Sequence, residues 1–335
     1  MRISSEHPTV IDLSLKTDGT SDTNAFAQDV LQGLSQYPKS LPSRYFYDGE
    51  GSRLFQEIME LPEYYLTRCE HEVLTENKAQ MAREFAGDGF FHLIDLGAGD
   101  ALKTKILLRQ LAERQLDFDY VPVDISGDAM QQLNADLQQE MPELQVQAVV
   151  GEYFQALKWL QEHKAERKVV LFLGSNIGNF KEKESETFLC SVRSYLQPGD
   201  KLLLGIDLRK DPDKILRAYD DAAGVTAAFN LNLLARINRE LGGTFNLDQF
   251  RHYALYNPGD GVMRSFLVSK TEQEVYIREA GRSFKFAAWE AIHTENSHKY
   301  TLPQIEAIGR TCGFTVETVF YDTNKQFADV LFSVT

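Results

Sequence analysis

Between Ala291 and Thr301 the chain reads AIHTENSHKYT, which sets His293, Glu295, Ser297, His298 and Lys299 close together behind the aromatic stretch SFKFAAWE. In an extended strand, residues two apart face the same way, so Glu295 and Ser297 can converge on one ligand. A carboxylate there accepts hydrogen bonds, and a hydroxyl both donates and accepts. His293 and His298 read as packing groups or neighbours of the pair, and Lys299 as a solvated or ion-paired lysine. The seven His show no HExxH or zinc-finger spacing, so no metal is expected.

A second set of residues falls at turns between strand-like and helix-like segments. In DLGAGDALKT, Gly97 and Gly99 let the backbone bend sharply and approach a ligand without a Cβ in the way. The pattern ends in Lys103 as GxGxxxK, which leaves the dinucleotide fingerprint GxGxxG incomplete and disfavours a nicotinamide dehydrogenase. Asp124 ends the next apolar run, where a carboxylate can accept from two ribose hydroxyls; it could equally cap the following helix, a task also open to Ser126. Glu152 ends a third run. In LFLGSNIGNF, Gly174 permits close backbone approach, and Asn179 offers a donor and an acceptor to an amino acid's carboxylate and amine, or else caps a helix.

The elements that must position these residues alternate. FHLIDLG, YVPVDIS, VQAVVGEYF, KVVLFLGSNIGNF and KLLLGIDL read as five strands separated by helical patterns, which implies a doubly wound parallel sheet. FTVETVFYDT and FADVLFSVT, separated by NKQ, read as a closing hairpin. Five parallel strands and a late hairpin resemble the class I S-adenosylmethionine-dependent methyltransferase fold, an α/β Rossmann-like seven-stranded sheet. The long segment between the fifth strand and the hairpin exceeds any crossover and reads as a second, α+β, substrate-binding domain. Residues 67–205 and 300–335 are assigned to the cofactor domain, 20–66 and 206–299 to the substrate domain lying over the cofactor cleft, and 1–19 to a loosely held arm.

Composition narrows the function. The chain has 335 residues, is 43% hydrophobic, and has no apolar run long enough to span a membrane. Its N-terminus is polar without a signal-peptide core, so cytoplasmic residence is expected. Cys69, Cys190 and Cys312 lie far apart and read as buried free thiols. A net charge of −14, from 49 acidic and 35 basic residues, opposes a phosphate backbone and argues against nucleic acid.

FYDGEGSRLFQEIMELPEYYLTRCE, DLGAGDALKT, LFLGSNIGNF, RAYDDAAGVTAAFNLNLLARINREL and HTENSHKY together resemble the histidine-specific methyltransferase family, in family order from about Leu41 onward. The resemblance implies trimethylation of the α-amino group of L-histidine to hercynine, as in ergothioneine biosynthesis, with S-adenosylmethionine as methyl donor, no metal, and a monomer that uses neither membrane nor nucleic acid. It implies that Tyr64, Glu295 and Ser297 hold the imidazole and that Asn179 and Tyr219 hold the carboxylate and amine, with Gly174 beside them. Gly97, Gly99, Lys103, Asp124, Glu152 and Tyr153 match cofactor-binding positions. Tyr47 lies near the reacting centre as the catalytic candidate. Asn296 and His298 stand where some relatives carry small apolar residues. Two rival readings remain: methyl transfer to another amino acid or aromatic amine, and a non-catalytic adenosine-binding module.

Overall fold

The computed structural model of the chain describes residues 10–13, 22–87 and 89–334. In chain order its strands are β1 (Ile11–Asp12), β2 (Lys39–Ser40), β3 (Phe91–Leu96), β4 (Phe118–Asp124), β5 (Val149–Val150), β6 (Arg167–Phe172) and β7 (Lys201–Asp207). There follow β8 (Phe250–Asn257), β9 (Val262–Ser269), β10 (Gln273–Ile277), β11 (Arg282–Phe286), β12 (Ala291–His298), β13 (Phe314–Tyr321) and β14 (Phe327–Val334). The helices are α1 (Asp22–Ser35), α2 (Gly49–Glu60), α3 (Tyr65–Phe85), α4 (Thr104–Glu113) and α5 (Gly127–Glu140). The rest are α6 (Tyr153–His163), α7 (Glu182–Ser194), α8 (Pro212–Tyr219), α9 (Val225–Leu241) and α10 (Leu302–Thr311). None is long and apolar enough to cross a membrane, and no cluster among the described residues has the His, Cys, Asp or Glu content to hold a metal ion.

The chain divides into two compact units. The first comprises Met1–Thr17, Arg68–Leu208 and Tyr300–Thr335, the second Asp18–Thr67 and Arg209–Lys299. The first unit is built on a sheet ordered β1-β5-β4-β3-β6-β7-β14-β13. β1 through β7 in this sheet run parallel, whereas β14 pairs antiparallel with β7 and with β13. β3 is buried along its whole length, and β6 and β7 at all but their first residue, as parallel strands covered on both faces must be. Valine, leucine, isoleucine and phenylalanine from both faces fill the core, with Phe172, Phe188 and Phe332 among the buried rings.

Three details depart from the sequence reading. Among the described residues the sheet has eight strands rather than seven, because Ile11 and Asp12 pair with Val149 and Val150. That pairing ties part of the expected arm to the sheet edge; residues 1–9 and 14–21 lie outside the described residues. The run from Val146 to Phe154 yields only the two-residue β5 and an isolated bridge from Val146 to Tyr120, since Tyr153 and Phe154 already begin α6. Finally, Cys190 and Cys312 are not free thiols. They form a disulfide with a Cα–Cα distance of 4.5 Å, joining α7 to the residue that ends α10, and Cys69 alone is a buried free thiol. A sequence separation of 122 residues gave no hint that two helices set these side chains together.

The second unit is α+β. Its sheet is ordered β2-β12-β9-β8, antiparallel except for β2 along β12, and β10 and β11 form a separate hairpin. FRHYALYN in β8 alternates buried and exposed positions through Leu255, the pattern of a sheet with one packed face. The packed face meets α1, α2 and α9 through Phe26, Val30, Leu54, Phe229, Leu233, Ile237, Leu267 and Ile292.

Candidate active site

In the first unit, the cofactor candidates gather where β3, β4 and β6 end. Gly97 and Gly99 both take positive φ, 80° and 55°, the left-handed region in which glycine is unstrained. A Cβ on Gly97 would sit 3.0 Å from the Tyr153 hydroxyl, so the turn and the start of α6 are already in close approach. The N–H groups of Gly97 and Ala98 donate to the Val123 carbonyl, while Gly99 N donates to Asp124 Oδ2 at 3.0 Å. Beneath the turn, buried Asp95 accepts from Thr104 Oγ1 at 2.6 Å and Tyr120 Oη at 2.9 Å; burial nevertheless raises its carboxyl to about 6.

Asp124 does not cap α5. Ser126 does, accepting from Ala129 N at 3.2 Å, and Asp124 Oδ1 accepts from Ser126 N instead. A carboxylate has about four acceptor positions, so the backbone donors at Gly99, Ile125 and Ser126 still leave capacity for a ribose hydroxyl. Burial raises the Asp124 carboxyl above its ordinary value. Glu152 stands exposed at the N-terminus of α6, next to Tyr153, whose ring meets Phe172 and Phe188 edge to face.

The end of β6 carries a second tight turn. Gly174 and Ser175 have φ of 77° and 56°, and a 3₁₀ turn from Asn176 to Asn179 follows. Asn179 ends that turn exposed, and it does not cap α7, whose N-cap is Lys181. Gly174 N donates to Glu70 Oε1 at 2.6 Å, and the other oxygen of the same buried carboxylate pairs with Lys103 Nζ. Lys103 thereby reaches Gly174, where a Cβ would lie 3.6 Å from its Nζ. Asp329 lies in the same cluster, fully buried with neither oxygen hydrogen-bonded. Burial first, and then the Glu70 charge, push its carboxyl well above the usual range.

In the second unit the acceptor candidates form a connected row. Asp48 caps α2 by accepting from Gly51 N at 2.7 Å and also takes Asn232 Nδ2 at 2.8 Å, which fixes the preceding Tyr47. Tyr47 is 40% exposed and packs edge-on against Phe55 and Phe229, at 5.5 and 5.7 Å between centroids. Phe55 meets Tyr64 at 6.3 Å, and Tyr64 meets Tyr219 at 6.2 Å. Tyr219 Oη lies 2.8 Å from Ser297 Oγ, and His252 Nε2 anchors the Tyr219 carbonyl at 2.9 Å.

Ser297 reaches this row because β12 contains a bulge. The register against β9 slips between His293, opposite Phe266, and Glu295, opposite Ser265. An extra residue in one strand exchanges the faces beyond it. Ile292 and Thr294 are buried before the slip, Ser297 and Lys299 after it, whereas His293 pairs with Asn296 at 3.0 Å and packs against Phe266. Buried Thr294 Oγ1 sits 3.0 Å from both Asn230 Oδ1 and the Ser265 carbonyl, holding the bulge. Glu295 shares the face of Ser297. Burial pushes its carboxyl up to about 7, opposed by the charge of Lys299.

The sequence read Lys299 as solvated or ion-paired, and burial removes the first of these, while its charge acts on Glu295. Lys299 is 1% exposed, and its ammonium donates to Tyr219 Oη at 2.7 Å and Ser297 Oγ at 2.8 Å.

A family profile described as histidine-specific methyltransferase, SAM-dependent, matches residues 26–334. The chain belongs to this family. It is 40% identical over 280 residues to the histidine N-alpha-methyltransferase of Mycolicibacterium smegmatis, covering 84% of this chain and 86% of that one. With the Mycobacterium tuberculosis histidine N-alpha-methyltransferase it shares 38% identity over 82% of this chain and 84% of the relative. Among solved structures, magnesium protoporphyrin IX methyltransferase from Synechocystis aligns with a TM-score of 0.46 and 11% identity, over 88% of this chain and 98% of that one. The chain is thus an S-adenosylmethionine-dependent histidine methyltransferase with a class I methyltransferase fold.

Sequence reasoning missed Glu70, Asp329 and the contacts of Lys299. Glu70 sits mid-helix among other acids in CEHEVLTEN, with no spacing signal. Asp329 is a lone charge inside FADVLFSVT, and that oddity was the one available clue.

Proposed function

We propose that the chain transfers methyl groups from S-adenosylmethionine to the α-amine of L-histidine, three in succession, giving Nα,Nα,Nα-trimethylhistidine (hercynine) in ergothioneine biosynthesis. The observation that carries this reading is the bulged β12, which turns Glu295 and Ser297 to one face beside Tyr219. A neutral imidazole has one N–H and one bare nitrogen, and this pair offers an acceptor for the first and a hydroxyl for the second. In this reading Tyr64 packs on the ring, Asn179 and Tyr219 take the carboxylate and amine, and Gly174 leaves room for them. Gly97, Gly99, Lys103, Asp124, Glu152 and Tyr153 hold the methyl donor, and the two compact units divide the work into cofactor and substrate domains.

The donor's sulfonium supplies an activated methyl group, so the chain's own residues have to align and desolvate the acceptor. The attacking amine must be neutral, and with an ordinary pKa near 8 it needs only a small downward shift. Anchoring histidine at both ring and carboxylate fixes the direction of its nitrogen lone pair. In this reading Tyr47 serves the reacting centre, its hydroxyl passing the amine's proton toward water.

Asn179→Ala and Tyr219→Phe test the carboxylate assignment. Each is expected to raise the histidine KM roughly tenfold or more, the scale of a lost hydrogen bond to a charged group, with S-adenosylmethionine affinity unchanged. Unaltered histidine kinetics in both variants would remove these two residues from the site.

A further inference from the structure

Lys299 is a fully buried lysine that donates to two hydroxyls, and these themselves form a pair. An ammonium donates and never accepts, so Tyr219 Oη and Ser297 Oγ both act as acceptors toward it. The two hydroxyls own one proton each, and the bond between them consumes one. Whichever hydroxyl accepts in that bond keeps its proton for a third partner. Glu295, Ser297 and Lys299 follow one another at every second residue beyond the bulge, so one face of the strand presents, in order, an acceptor, a hydroxyl and a cation.

We propose that Lys299 is a positioning residue that makes this face select neutral imidazole in one orientation, with ring N–H toward Glu295 and the bare nitrogen toward Ser297. The inference rests on the reading of Glu295 and Ser297 as the imidazole clamp. A positive charge 2.8 Å behind the Ser297 oxygen repels a ring N–H⁺ at that end and favours a lone pair. Where Tyr219 donates to Ser297, the Ser297 proton is left to bond the bare nitrogen, and Tyr219 Oη meets the substrate as an acceptor from its amine, with the carboxylate left to Asn179. The negative end of the face matches the N–H, and the positive end matches the lone pair. Imidazolium satisfies only the first. An indole, with a C–H where the lone pair should be, also satisfies only the first. Among the described residues, the ionisable groups around the clamp besides Lys299 include Glu295 of β12, Tyr219 at the end of α8, Tyr64, whose ring meets that of Tyr219, His252 of β8, bonded to the Tyr219 carbonyl, and Arg209, which donates to the Lys299 carbonyl.

The test compares KM for histidine and for 2-fluorohistidine, whose ring stays neutral, from about pH 5.5 to 8, the range in which imidazole titrates. The α-amine and the enzyme's own groups affect both substrates alike, so the ratio of the two KM values isolates ring protonation. In the wild-type protein the ratio is expected to rise about tenfold per pH unit below the ring pKa of roughly 6.5; a ratio that stays flat with pH overturns the proposal without any variant being made. Lys299→Gln keeps donor hydrogens and removes the charge. It is expected to flatten that rise and to raise the histidine KM roughly 10- to 100-fold, with kcat changed much less. A variant with wild-type KM and an unchanged pH ratio also overturns the proposal. Glu295→Gln and Ser297→Ala in the same assay separate the two levels. If neither moves the histidine KM, the clamp reading itself fails; if both do while Lys299→Gln does not, only the role of Lys299 fails.

Discussion

At the scale of single residues, Glu295 links the site to pH. Its carboxyl, pushed up to about 7 by burial and pulled back by Lys299, accepts an imidazole N–H most strongly when ionised. kcat/KM for histidine should therefore fall as pH drops through 7. The stability sign is the reverse. A carboxyl whose folded pKa lies above its unfolded value of about 4.5 takes up protons on folding, so its contribution is complete below that value and is lost as pH rises toward 7. Glu295→Gln should make the acid limb shallower, leaving the parts due to the substrate's α-amine and ring, raise the histidine KM roughly 10- to 100-fold, and raise the melting temperature at pH 8 relative to the parent. A variant whose acid limb is as steep as the parent's would show that Glu295 does not contribute to it. That Glu295 and Ser297 share a face was legible in the sequence, because residues two apart on a strand face the same way, whereas the role proposed for them came from the family resemblance. The burial of Lys299 was not legible, since a lysine after a histidine gives no sign of what covers it.

At the scale of elements, the turns were readable and the bulge was not. Glycine at 97 and 99 announced a backbone that side chains would obstruct, and both positions take positive φ. Gly97→Ala tests how tightly this turn is held. The left-handed conformation alone costs a residue with a Cβ about 1–2 kcal/mol, and the new methyl would meet the Tyr153 hydroxyl at 3.0 Å. Calorimetric titration should show S-adenosylmethionine affinity reduced roughly tenfold or more, with histidine-side residues untouched. Unchanged affinity would mean that the turn relaxes freely and does not form the cradle. The slip at Thr294 left no such mark. HTENSH alternates polar residues on both faces, so hydrophobic pattern cannot say which set is buried. Only the buried bonds of Thr294 to Asn230 and Ser265 reveal it.

At the scale of the whole molecule, the alternation of apolar runs and helical patterns carried the parallel order of β3 to β7 and the antiparallel closing pair, because each element buries enough apolar surface to announce itself. What escaped were pairings with little local signal. Ile11 and Asp12 add a two-residue strand, the Cys190–Cys312 bond joins distant helices, and the Glu70–Lys103–Asp329 cluster gathers charges from three separate segments. None of these changes the chemistry that the family implies, and all of them support the framework around it. That chemistry is tested most directly by mass spectrometry of the full chain incubated with S-adenosylmethionine and an equal mixture of the common amino acids. Histidine carrying three added methyl groups on its α-nitrogen, with the other amino acids unmodified, is the expected product. Methyl groups on a different amino acid, or on the imidazole ring, would contradict the clamp of Glu295 and Ser297 and the function proposed from it.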